Sequence, residues 1–177
     1  MAAALLLLLS PLLGVTALAI ALFGGGAPVF FRQVRVGWHG TLFEVVKFRT
    51  MSGGAERRVT RLGAFLRRRK IDELPMLWNV VRGEMAWVGP RPDIPGYADR
   101  LEGSDRRLLE LKPGLTCEAT LKYRHEEELL ARQCDPLRYN DTVIWPDKVR
   151  MNLEYYENRS AGRDVRVILK TVGAVFC

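Results

Sequence analysis

At 177 residues, with a net charge of +7 and a pI near 9.7, the chain has room for one domain plus an appendage and calls for an anionic partner. The charge is uneven: residues 1–27 carry no charged side chain, residues 28–70 hold eleven Lys and Arg against two acids, and the remainder is slightly acidic. A positive excess that stops at Lys70 with few aromatics among it argues against a nucleic-acid binder, and three cysteines without C-x-x-C spacing argue against a disulfide framework or a zinc site.

In chain order, "MAAALLLLLSPLLGVTALAIALF" is long enough to cross a bilayer, which takes about 20 apolar residues. No basic stretch precedes the Leu run, which argues against a cleaved signal peptide. Ser10-Pro11 near its centre predicts a kink, because proline removes a backbone bond and clashes with the preceding turn. Each half is roughly 15–18 Å of helix, half the hydrocarbon thickness. The segment can therefore span with a kink or dip and return, and a plain span is the commoner solution.

Beyond "GGGAP", "PVFFRQVRV" and "TLFEVVKFRTM" flank "GWHG" and predict a β-hairpin. "RRVTRLGAFLRRRK" sets Val59, Leu62, Phe65 and Leu66 on one stripe and predicts a short basic amphipathic helix, lying among headgroups or packed on its own domain. "PMLWNVVRGEMAWV" predicts an apolar helix over 76–88, followed by the stiff turn "GPRPDIP" and a loop at "LKPGLT". "KYRHEEELLARQ" reads as a charged helix, "DPLRYNDTVIWPD" as a loop with two prolines, and "KVRMNLEYYENRS" and "DVRVILKTVGAVF" as closing helices. The class is α+β, mainly α-helical with one β-hairpin. His39 and His125 are too isolated to suggest a metal cluster.

"RRRKIDELPMLW", residues 67–78, poses the chemical question of why two carboxylates sit at the foot of four cations. Locally, Asp72 serves as a helix N-cap, with Glu73 and Pro75 in the first turn. That reading leaves Arg67, Arg68, Arg69 and Lys70 unexplained.

Taken together, Ser10-Pro11, "PVFFRQVRVG", "KFRTM", "IDELPMLWNVVRGEMAWVGPRP", "KPGLT" and "YYENRS" with Asp164 after it resemble the monotopic phosphoglycosyl transferases, the bacterial sugar transferase family. The likeness covers nearly the whole chain, and the ordered set of motifs is far more specific than any one of them. It implies a re-entrant membrane helix over residues 1–25, broken at Ser10 and Pro11, and a catalytic domain over 26–177 on the cytoplasmic face of the bacterial inner membrane. It implies transfer of a phosphosugar from a nucleotide diphosphate sugar, a UDP-sugar, to undecaprenyl phosphate, releasing UMP. Asp72 resembles the family nucleophile and a ligand of Mg²⁺, and Glu73 the residue that orients or deprotonates the lipid phosphate. Lys47, Arg49, Arg67, Pro90, Arg91 and Asp164 are implied in phosphate or nucleotide binding, with Arg67 five residues before Asp72. Asp164 matches a family acid and equally reads as a helix N-cap.

Cations neutralise the approach of a carboxylate to a dianionic diphosphate, which accounts for the basic run. Adjacent helical residues point about 100° apart, so Asp72 and Glu73 are expected to have separate roles. The chain departs from the family at three places. It begins at "MAAALLLL" without the basic residues and Asp that precede the helix elsewhere, so looser anchoring or a trimmed start is expected there. "CEATLKYRHEEELL" replaces the common Gly-x-x-Gln-Val stretch, and Asn152 stands where many members have Asp. Two rivals remain: a non-catalytic basic adaptor of membrane surface or nucleic acid, indifferent to Asp72, and a polytopic transferase subunit, which needs further apolar segments.

Overall fold

The apolar run folds as α1 (Ala2–Phe23), one helix that continues through Pro11. Proline has no N–H to give the carbonyl four residues back, which is that of Leu7. The Ser10 hydroxyl donates to that carbonyl instead, at 2.8 Å. Ser10 thus supplies the bond that Pro11 removes. Leu7, Leu8, Val15, Leu18, Leu22 and Phe23 are 60% or more exposed. Burying such a side chain is worth about 1.5–3 kcal/mol, so this face favours an apolar phase. Among the described residues α1 is the one helix long and apolar enough to cross a membrane.

The computed structural model describes residues 2–24, 26–53 and 58–176. The chain divides into two compact units, Met1–Arg35 with Leu42–Met85 and Val175–Cys177, and Val36–Thr41 with Ala86–Ala174.

β1 (Phe30–Val36) and β2 (Leu42–Phe48) form the expected two-stranded sheet, which lies in the first unit up to Arg35 and from Leu42, while the connecting 3-10 turn at Trp38–Gly40 belongs to the second. Ile20 of α1, Phe48 of β2 and Leu66 of α2 (Arg61–Arg68) make the core, flanked by Leu13, Ala17, Leu62 and Ile71. The later half of α1 is therefore fastened to the sheet and to the basic helix. The expected apolar stripe of α2 splits: Leu62 and Leu66 turn inward, while Val59 and Phe65 are 44% and 54% exposed.

The helix expected over 76–88 is much shorter. A 3-10 turn over Ile71–Met76 leads into α3 (Leu77–Val81), which Gly83 closes in a left-handed conformation at φ 75°. The residue at the N-cap position is Lys70, itself left-handed at φ 54°, so Asp72 lies inside the first turn and does not cap it.

In the second unit, β3 (Ala86–Val88) pairs in parallel with β4 (Gly114–Thr116), with Ala86 opposite Gly114 and Val88 opposite Thr116. The sequence predicts helix for "AWV" and loop for "GLT", and both are strands. Three-residue strands are too short to show alternation, and their pairing spans distant sequence. A Cβ at Gly89 or Gly114 would fall on the other segment's backbone, so two glycines let "VGPRP" and "KPGLT" cross.

Of the charged helix expected over 122–133 only α5 (Glu126–Ala131) forms; α4 (Glu118–Lys122) precedes it, and a turn over 123–125 separates the two. The expected proline loop is helical instead: α6 (Pro136–Tyr139) runs through a π turn at Asn140–Ile144 into α7 (Trp145–Asn158). Pro136 falls in the first turn of the run, where no N–H is needed, and Asp135 caps α6 by accepting from Arg138 N at 3.0 Å, while Pro146 follows directly after the π turn. Helix α8 (Ala161–Phe176) closes the chain. Val88, Leu111, Tyr155 and Val167 form one core of this unit, and Val36, Ala98 and Leu109 another.

Candidate active site

The site in the first unit is assembled around the end of β2. The Thr50 carbonyl accepts from Thr60 N at 3.0 Å, and the Thr60 hydroxyl caps α2 by accepting from Gly63 N at 2.9 Å. A Cβ on Gly63 would collide with that Thr50 carbonyl, so glycine lets the helix dock. At the other end of α2, Arg67 Nε donates to Thr50 Oγ1 at 2.9 Å, which draws the guanidinium back onto the strand. Arg49 is held elsewhere: its Nε donates to the Pro28 carbonyl at 2.8 Å and its guanidinium lies over the Phe31 ring.

The two carboxylates of "DELP" have different surroundings. Glu73 Oε1 accepts from Lys47 Nζ of β2 at 2.9 Å, in a pair whose side chains are only 15% and 16% exposed. Asp72 Oδ1 is buried with no hydrogen-bond partner among the described residues. Burial pushes the Asp72 carboxyl above its ordinary range, and neighbouring Glu73 pushes it further, while Lys47, Lys70 and Arg67 pull it down. An orphaned buried polar atom costs about 1–3 kcal/mol, and such strain concentrates where a reaction uses it. A desolvated, more basic carboxylate oxygen in a positive field is suited to attack an anionic electrophile.

Behind these residues lies Asn79 of α3, 1% exposed. Its Nδ2 donates to the Glu44 carbonyl at 2.7 Å and to Glu84 Oε2 at 2.8 Å, and its Oδ1 accepts from Val46 N at 3.3 Å. Asn79 and Thr50 stand inside the stretches "IDELPMLWNVVRGEMAWVGPRP" and "KFRTM" that carry the family resemblance, but residue type alone does not show the bonds they make. Lys70 reads in sequence as one more cation of the basic run, because its left-handed backbone is invisible there.

Lys47, Arg49, Arg67, Asp72 and Glu73 thus belong to the first unit, as do Ser10 and Pro11 in α1. Pro90, Arg91 and Asp164 belong to the second. There the Pro90 carbonyl accepts from Gly114 N at 2.8 Å, and Arg91 lines a small recess with Pro90, Asp93 and Pro113. Asp164 accepts from the Tyr155 hydroxyl at 2.6 Å; burial, then that bond, pushes Tyr155 far up. Asp164 does not cap α8, because the Ser160 hydroxyl does so by accepting from Arg163 N at 3.2 Å. No cluster of three or more His, Cys, Asp or Glu occurs among the described residues, so a bound cation has no all-protein cage there.

The family model described as bacterial sugar transferase matches residues 1–177. The chain is 37% identical to a UDP-glucose:undecaprenyl-phosphate glucose-1-phosphate transferase of Caulobacter vibrioides, over 97% of this chain and 65% of that one. An Escherichia coli protein of the same name is 34% identical, over 97% of this chain and 38% of its own length. An uncharacterized sugar transferase, EpsL of Bacillus subtilis, is 34% identical, over 85% of this chain and 71% of that one. The chain spans between 38% and 71% of the length of these three relatives.

Proposed function

The chain belongs to the bacterial sugar transferase family, and on that premise we propose that it moves a phosphosugar from a UDP-sugar to undecaprenyl phosphate through a covalent intermediate on Asp72. The observation that carries this reading is the buried, unpartnered Asp72 Oδ1 beside the Lys47–Glu73 pair. Asp72 attacks the β-phosphorus of the donor, the bond to the α-phosphate oxygen breaks, and UMP leaves. The phosphosugar is then held as an acyl phosphate. An oxygen of the lipid phosphate, oriented and deprotonated by Glu73, attacks the same phosphorus. Asp72 is released as a carboxylate and the product is the undecaprenyl-diphosphate-linked sugar. Splitting the transfer lets a water-soluble donor and a lipid acceptor use one site in turn.

In this reading Lys47 and Arg67 offset donor charge, and Arg91, stiffened by Pro90 and Pro92, supplies a two-pronged phosphate contact. In this reading Asp164 belongs to the nucleotide-binding set, and Arg49 acts by shaping the base of the hairpin. Asp72's open oxygen also fits Mg²⁺, which commonly takes one or two carboxylates and completes its shell with water and substrate phosphate. When bound, such a cation would neutralise charge on the diphosphate. We further propose that α1, one helix through Pro11, dips into one leaflet of the inner membrane with a bend at Ser10-Pro11, which leaves the catalytic residues on the cytoplasmic face at headgroup depth.

The test is incubation with a panel of UDP-sugars, undecaprenyl phosphate and Mg²⁺, with UMP and lipid-linked sugar as readouts. One sugar is expected to give both products in equal amount. Absence of both with every sugar contradicts the reading.

A further inference from the structure

Asn79 touches neither carboxylate of the site, yet its amide bridges three segments of the first unit. It donates to the backbone of β2 at Glu44 and to the side chain of Glu84, and it accepts from the backbone of β2 at Val46. Its own carbonyl accepts from Glu84 N at 3.0 Å and Met85 N at 3.3 Å, which turns the chain back after α3. Val46 precedes Lys47, whose ammonium holds Glu73, and Glu73 follows Asp72. Asn79 is also four residues beyond Pro75, in the helix α3 that directly follows the turn carrying both carboxylates.

We propose that Asn79 is a positioning residue of the transfer reaction: its amide sets the register of β2 against the turn at 71–76 and so fixes Lys47 relative to the two carboxylates. A buried amide suits this task because it can bond in only one way. Both Nδ2 contacts end on oxygens and its Oδ1 accepts an N–H, so a one-residue slip of β2 would leave buried polar groups unpaired. An apolar side chain of the same size fills the space without choosing a register. Glu84 selects the amide orientation by taking one N–H, and Arg82 holds Glu84 in turn at 3.1 Å.

This inference rests on the covalent reading given above, and the experiment separates the two. Purified protein, UDP-sugar and Mg²⁺ are mixed without lipid acceptor, and the burst of UMP is followed. Its amplitude counts competent molecules; its rate reports the attack by Asp72. Asn79→Asp removes both donated bonds and sets a carboxylate against Glu84. The burst rate is expected to fall about 10- to 100-fold with the amplitude retained. Adding Glu84→Gln, whose amide can donate to the introduced carboxylate, should recover about half of that loss on a logarithmic scale. The KM for the UDP-sugar should stay within about twofold throughout, because Asn79 meets no substrate.

A fall in amplitude at unchanged rate makes Asn79 purely structural and overturns the inference, as does a double variant no faster than the single one. Should Asn79→Asp not fold, Glu84→Ala decides: a severalfold slower burst of full amplitude supports the inference, and an unchanged rate overturns it. If the native protein itself shows no burst, the covalent reading falls. The same expectations then apply to kcat of the complete reaction.

Discussion

Asp147 in the second unit and Asp72 in the first are the same side chain in opposite surroundings. Asp147 accepts from Lys122 Nζ at 2.6 Å, from the Tyr123 hydroxyl at 2.7 Å and from Arg150 Nη2 at 2.7 Å, tying α4 to α7. These donors, Lys122 first, hold its carboxyl far below the usual range, while burial and the Asp147 bond push Tyr123 up to about 12. Asp72 feels Lys47, Lys70 and Arg67 through the field, and burial together with the Glu73 charge outweighs them. Direct donors occupy the lone pairs of a carboxylate and turn it into a structural clasp. A positive field without contact leaves an oxygen open for chemistry.

The largest effect should come from removing the open oxygen. Asp72→Asn is expected to lower kcat by about 10⁵- to 10⁶-fold, as loss of a nucleophile does, whereas Asp147→Asn should leave kcat within about tenfold. Comparable losses at the two positions would erase the distinction. Next in size is Glu73→Gln, for which loss of acid–base help predicts a decrease of about 10²- to 10⁴-fold, measured as turnover with both substrates. Arg91→Lys keeps the charge but not the fork, and initial rates should fall about tenfold or more. A Lys variant of near-normal rate would reduce Arg91 to a stiffener of its turn.

Stability sharpens the comparison with smaller and opposite effects. Asp147 has a depressed folded pKa, so its contribution is present above the unfolded value of 3.8 and is lost as pH falls through the depressed value. Asp147→Asn should destabilise by about 1 kcal/mol at neutral pH, after allowance for partial exposure, in urea titrations. Asp72 has a raised folded pKa. Relative to a neutral residue it costs nothing below 3.8, and the penalty grows as pH rises through the folded value. Asp72→Asn should therefore stabilise the protein by about 1 kcal/mol at pH 7, and that gain should vanish near pH 3. A stabilisation equal at both pH values would mean that the Asp72 charge is not what the fold resists.

Much of this contrast is legible in sequence, but not all. Alternation marks the hairpin, the Arg-flanked stripe marks α2, and the apolar run marks α1, because each pattern is local. The β3–β4 pair depends on Gly89 meeting Gly114, a contact between segments 25 residues apart in the numbering. The helical run through residues 136–158 is hidden because Pro136 and Pro146 read as breakers, whereas Pro136 opens the run and Pro146 follows the π turn at Asn140–Ile144. At the site, "DELP" after a basic run draws attention to Asp72 and Glu73, but the local capping rule misplaces Asp72. Lys70's left-handed backbone moves the start of the turn, and only burial distinguishes an open carboxylate oxygen from a paired one.

The most direct measurement is the intact mass of the protein after incubation with UDP-sugar and Mg²⁺ in the absence of undecaprenyl phosphate, followed by peptide mapping. The account predicts a gain of one phosphosugar on the peptide containing Asp72, matched by one UMP released, erased by undecaprenyl phosphate and missing in Asp72→Asn. An adduct that persists in Asp72→Asn, or UMP that appears only when donor and acceptor are present together, would contradict it.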